Sequence, residues 1–196
     1  MAERADAARN RRAILRAAEE LLTAHGPDRV SLEQVAAAAG VAKGTVFHRF
    51  TNKAGLIGAL IMERLGAFQQ GYTEGPPPLG PGAPARERLD AFFTALVDLV
   101  SRNVALMAAH ERTSGHRQDN PIYTAWHEHV SGLLREARPD LDAEALGHIL
   151  LGALHSDLIV HMLRTGEANR LVSALQTVTA ALLDQPRGAN EGRAAL

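Results

Sequence analysis

The chain has no cysteine among its 196 residues. Disulfides, thiolate zinc sites and a cysteine nucleophile are therefore excluded. Aromatic residues make up only 4% of it, while hydrophobic residues make up 46%. That apolar content comes mainly from Ala and Leu, which favours helix over strand. No apolar run is long and uninterrupted enough to span a bilayer. The opening MAERADAARNRR mixes acids with arginines and leads into no apolar stretch, so it does not read as a secretory signal. A soluble, cytoplasmic protein is the expectation. Catalytic signatures are missing too: no Gly-x-Ser-x-Gly, no phosphate loop and no His-Glu-x-x-His. The chain does not read as an enzyme, and no cofactor is implied.

Net charge is also nearly absent, at −1. That balance hides an asymmetry. Residues 1–64 carry ten Lys and Arg against seven Asp and Glu, and the rest carry eleven against fifteen. The basic first part suits attraction to phosphate.

What is present is helical periodicity. Ile14, Ala18, Leu21 and Leu22 mark an amphipathic first helix over about 9–25, stopped by Gly26-Pro27. Leu56 to Phe68 mark a fourth helix, which Thr51 or Asn52 can cap. Residues 71–84 hold five Pro and four Gly and read as a loop, partly disordered. Further helices are expected over about 85–101, up to about 113, over 121–138, from Asp142 to about Arg164, and over 168–183. The expected fold is all-α, about nine helices and no sheet. The expected division is a three-helix domain over 1–52 and a connecting helix over 53–70. The loop follows over 71–84, then a second helical domain over 85–184 and a disordered tail over 185–196.

The most informative stretch is Ser31–Phe50, SLEQVAAAAGVAKGTVFHRF. Ser31 and Gln34 have the spacing of a capping box. Leu32, Val35, Ala36 and Ala39 share one helix face, and Gly40 permits a left-handed turn. In the helix that follows, Val46 and Phe50 point inward and Lys43, Thr45, His48 and Arg49 largely outward. This is the pattern of a helix-turn-helix, whose second helix enters the DNA major groove.

RRAILRAAEELL, SLEQVAAAAGVAKGTVFHRF, Lys53 and Leu56 together resemble the DNA-binding domain of TetR-family transcriptional regulators. The resemblance covers roughly the first third of the chain. It implies a ligand-responsive regulator, most often a repressor, that binds a palindromic operator as a homodimer and is released by a small-molecule effector. A helical small-molecule-binding protein without an operator is the alternative. On this reading the DNA contacts are Ser31, Lys43, Gly44, Thr45, Phe47, His48 and Lys53. Ser31 and Lys53 would meet phosphates at helix N-termini. Lys43 and Thr45 would reach base edges and backbone, and Gly44 lets the helix approach closely. Arg9, Arg11 and Arg12 are available for added contacts. Two positions depart from the usual pattern. Ala42 stands where a capping Ser is usual, and Phe47 stands where a Tyr is usual.

The last two helices are apolar on more than one face, so each has a side to offer a partner. The resemblance implies a four-helix dimer interface, with Leu150, Leu154, Leu158, Leu171, Leu175, Val178 and Leu182 as its candidates. Candidate effector-pocket residues are Phe93, Met107, His110, Tyr123, Trp126, Leu151 and His155. Seven of the nine histidines lie beyond residue 100. Glu144, His148 and His155 share a helix face, but no compact ligand spacing emerges, so no metal site is expected.

Overall fold

The computed structural model describes residues 2–111, 121–154 and 156–184, with side-chain surroundings for 6–103, 121–154 and 156–184. Among the described residues the fold is all-α, with nine α-helices, a single 3-10 turn at Pro27–Arg29 and no strand. The helices are α1 (Ala2–His25), α2 (Leu32–Ala38), α3 (Lys43–Phe50), α4 (Lys53–Glu74), α5 (Ala85–Glu111), α6 (Pro121–Ala137), α7 (Ala143–Ala153), α8 (Asp157–Arg164) and α9 (Ala168–Leu183). Among the described residues no single helix is long and apolar enough to cross a membrane.

The chain separates into two compact units. The first takes residues 2–66 together with the end of α5, and the second takes 67–104 and the described residues from 121 onward. In the first unit α1 packs on α2, and α2 on α3. Ile14, Ala18, Val35 and Val46 are fully buried there, with Leu32, Phe50, Leu56 and Leu60 close to it. Each large apolar side chain buried this way contributes roughly 1.5–3 kcal/mol. Arg64 of α4 donates to Glu19 Oε1 of α1 at 2.7 Å.

In the second unit the core is Leu89, Phe92, Phe93, Leu96 and Val97 of α5, Trp126, Val130 and Leu134 of α6, and Leu150 and Leu151 of α7. Helices α6 and α7 pack most closely. A Cβ added at Gly147 would lie 2.6 Å from Ser131 Oγ and 3.1 Å from the His127 ring. The Tyr123 hydroxyl lies 2.8 Å from His148 Nδ1, and the His127 and His148 rings stack with centroids 3.7 Å apart. His127 Nε2 lies 2.9 Å from the Glu144 carbonyl, which makes it the donor. These histidines cement α6 to α7. Among the described residues no three His, Asp or Glu side chains converge on a metal position. Buried Arg138 holds Asp140 through two bonds of 2.8 and 2.7 Å and donates to the Leu182 carbonyl at 2.7 Å. Thr179 donates to Asp90 at 2.8 Å, tying α9 to α5.

Three elements differ from expectation. The expected single helix from Asp142 to Arg164 is two helices, because the Ser156 hydroxyl accepts the Ile159 N–H and starts α8 afresh. The two helices expected up to residue 113 are one, α5, with no Gly or Pro between Ser101 and Leu106 to break it. Helix α4 continues to Glu74, past the expected start of the loop at 71. The Pro-rich stretch from Pro76 prevents further helix, and the Gly75 N–H still bonds the Gly71 carbonyl at 3.1 Å.

Candidate nucleic-acid interface

Ser31 caps α2 in the way its spacing predicts. Its hydroxyl accepts the Gln34 N–H at 3.2 Å, and Gln34 Oε1 accepts the Ser31 N–H at 2.8 Å. The box fixes where α2 begins and so sets the register of Glu33, exposed on its first turn. Gly40 takes φ 65°, the left-handed turn that joins α2 to α3.

Helix α3 then presents two faces. Val46 and Phe50 are buried at 0% and 5% exposure, while Lys43, Gly44, Phe47, His48 and Arg49 are exposed and Thr45 is partly so. A Cβ at Gly44 would meet nothing within 4 Å, so the helix surface is open there. Ala42 caps α3 with no side-chain hydrogen bond, as expected from the missing hydroxyl.

The outward face is already organised. Lys43 Nζ lies 2.7 Å from Glu33 Oε1 and 5.4 Å from the centre of the exposed Phe47 ring. The Lys43 bond, with smaller help from the backbone and the Ser31 hydroxyl, holds the Glu33 carboxyl down at about 2. Glu33 is the partner of Lys43 that the sequence reading missed. It lies ten residues from Lys43 on another helix, and no local spacing signals the pairing.

At the far end of α3, Thr51 takes φ 61° and Asn52 caps α4 by accepting the Gly55 N–H at 2.8 Å. Lys53 opens α4, where the helix N-terminus adds its partial positive charge. It makes no ion pair among the described residues. Arg11 of α1 stacks over the Phe50 ring at 5.7 Å, and Arg9 pairs with Asp6.

The family model for "Bacterial regulatory proteins, tetR family" matches residues 14–60, the segment that contains all of α2 and α3. Residues 14–60 are thus similar to the N-terminal domain of TetR-family regulators. Solved TetR-family structures share the fold well beyond it. A TetR-family regulator from Pectobacterium atrosepticum aligns with a TM-score of 0.68 at 17% identity, over 94% of this chain and 99% of that one. The fatty acid degradation regulator FadR of Bacillus halodurans aligns with a TM-score of 0.62 at 19% identity, over 89% and 98%. FadR of Bacillus subtilis, solved in complex with stearoyl-CoA, aligns with a TM-score of 0.61 at 23% identity, over 88% and 97%. No curated protein sequence matches the chain.

The expected interface residues fall into two groups. Leu150, Leu154, Leu171 and Leu175 are buried within the chain itself, and Leu182 is partly so. Leu158 and Val178 are exposed, at 78% and 47%. Ile149, which is not among the interface candidates, is 65% exposed. Of the expected pocket residues, Phe93, Trp126 and Leu151 are core, and Tyr123 is engaged with His148. The side chains of Met107 and His110, and residue His155, lie outside the described residues. An open cavity of about 900 Å³ lies elsewhere, between α5 and α9, bordered by Glu87, Asp90, Thr94, Asp98, Asn169 and Gln176. It contains none of the expected pocket residues.

Proposed function

We propose that this protein is a homodimeric TetR-family transcriptional repressor that binds a palindromic operator and releases it when a small effector binds the second unit. The observation that carries the proposal is the outward face of α3. Lys43, Thr45, Phe47 and His48 stand out from a helix anchored by Val46 and Phe50, with Gly44 leaving room for the groove wall. Lys53 and Ser31 flank that face, and both stand at helix N-termini where phosphate is favoured. Lys43 and Thr45 supply base-edge and methyl contacts.

The exposure of Ile149, Leu158 and Val178 on α7, α8 and α9 supports self-association through these helices. A two-fold dimer presents two α3 helices to two half-sites. The effector acts by binding more tightly to the conformer that does not match the half-site spacing. Equal affinity for both conformers would shift nothing.

Genome-wide footprinting with the purified protein tests the reading. Recurrent palindromic sites with salt-sensitive affinity are expected. Binding without sequence preference at any salt concentration would favour the alternative, a helical small-molecule-binding protein with no operator.

A further inference from the structure

Among the described residues, two buried nitrogen atoms in the second unit have no hydrogen-bond partner: Nε of Arg88 and Nε2 of His129. Buried donors in folded chains are almost always paired, so two together are unusual. Arg88 stands one turn before Phe92 on α5 and shares its face. His129, on α6, lies against Phe92 and Tyr72, with ring centroids 5.1 and 4.4 Å apart. The Arg88 charge acts directly on His129. Burial first, and that charge second, push the imidazole down to about 4, so it is neutral at physiological pH. Among the described residues nothing hydrogen-bonds to Arg88 Nε or His129 Nε2. Burial first, and the charge of Glu128 second, raise the Tyr72 phenol.

The rings beside His129 belong to an aromatic cluster. Phe68 packs on Tyr72, Phe92 and Trp126 at 5.3, 5.1 and 5.9 Å. All four rings are at most 8% exposed. A cation and a neutral imidazole beside such rings suit a ligand that is charged at one end and apolar along its body. The acid-bordered cavity between α5 and α9 has the opposite polarity and would repel an anion.

We infer that Arg88 and His129 form the recognition point for the anionic end, carboxylate or phosphate, of an amphiphilic effector whose apolar body lies along the Phe68–Tyr72–Phe92–Trp126 cluster. The inference rests on the effector-responsive reading above and gives it a chemical class. Guanidinium groups take oxyanions with charge and directed donors together. The neutral imidazole adds a donor from Nε2 without a second full charge to desolvate.

Trp126 is the only tryptophan, so its emission reports on this cluster alone. The full-length protein is titrated with decanoate, decyl phosphate and 1-decanol, and Trp126 fluorescence is followed. At least one anion should bind saturably and about tenfold or more tighter than the alcohol. Preference for decanoate marks a carboxylate source, and preference for decyl phosphate a phosphate source. Arg88→Gln should abolish the anion preference while keeping the alcohol's affinity, and His129→Phe should reduce it. Retained 1-decanol binding shows that a variant is folded. Should Arg88→Gln not fold, His129→Phe carries the test. The inference is overturned if neither anion outbinds the alcohol, or if the folded variants keep the preference. Operator binding, measured without ligand, is read separately. Its loss would sink the regulator reading and leave the anion site standing.

Discussion

Lys43 of α3 is held by Glu33 of α2 at 2.7 Å, so the leading cation of the recognition helix is already paired before any DNA arrives. Both partners are about half exposed or more, and such a pair contributes only about 0–1 kcal/mol. Phosphate or a guanine edge can therefore displace the carboxylate at small cost.

Glu33→Gln should tighten operator binding about two- to fivefold at low salt and steepen the salt dependence. Fluorescence anisotropy across a salt series measures both. Unchanged or weaker binding would show that Glu33 orders Lys43 rather than restraining it.

Lys53→Ala should weaken binding to every sequence alike and reduce the salt slope by about one. A changed base preference with an unchanged slope would contradict a phosphate role for Lys53.

The interface was legible where local chemistry punctuates the chain. Ser31 and Asn52 each begin a helix by a bond their own side chains make, and Gly40 turns the chain by a φ that its lack of a side chain allows. The α7–α8 break was not legible. Its signal is Ser156 alone, inside an apolar run from Leu150 to Met162 with no proline. Pairings between helices were hidden for a different reason. Periodicity tells which face Arg88 or His129 occupies, but not that the two faces meet, 41 positions apart. Glu33 was passed over because an exposed acid on a helix reads as a solvated charge.

Gly55→Ala should cost stability sharply, by about 2 kcal/mol or more. A Cβ there would fall 2.2 Å from the Phe50 carbonyl oxygen, which is backbone and cannot rotate away. Thermal unfolding followed by circular dichroism reads the loss, and a melting point equal to that of the parent would refute the clash.

The imidazole of His129 carries a pH signature. Its folded value is near 4 against an ordinary 6.5, because of burial first and Arg88 second. Between those values the unfolded chain binds the extra proton, so this group's contribution to stability falls as pH drops from about 6.5 to about 4. Groups bearing on the cluster include Arg88 and, through Tyr72, Glu128. His129→Phe should remove that component, so its stability curve should be flatter over this range. Parallel curves from denaturant titrations would exclude it.

Leu158→Lys and Val178→Lys should each shift the protein toward monomer and weaken operator binding through loss of the second half-site. Light scattering after gel filtration gives the mass. A dimer that survives both substitutions would place the interface away from α8 and α9.

Gly147 leaves no room for a methyl group between α7 and the Ser131–His127 edge of α6. A joint that close has no slack. Any side chain at position 147 would force Ser131 or the His127 ring to give way. In mechanical terms α6 and α7 are keyed together at this one point, and a single added methyl group would pry the joint open.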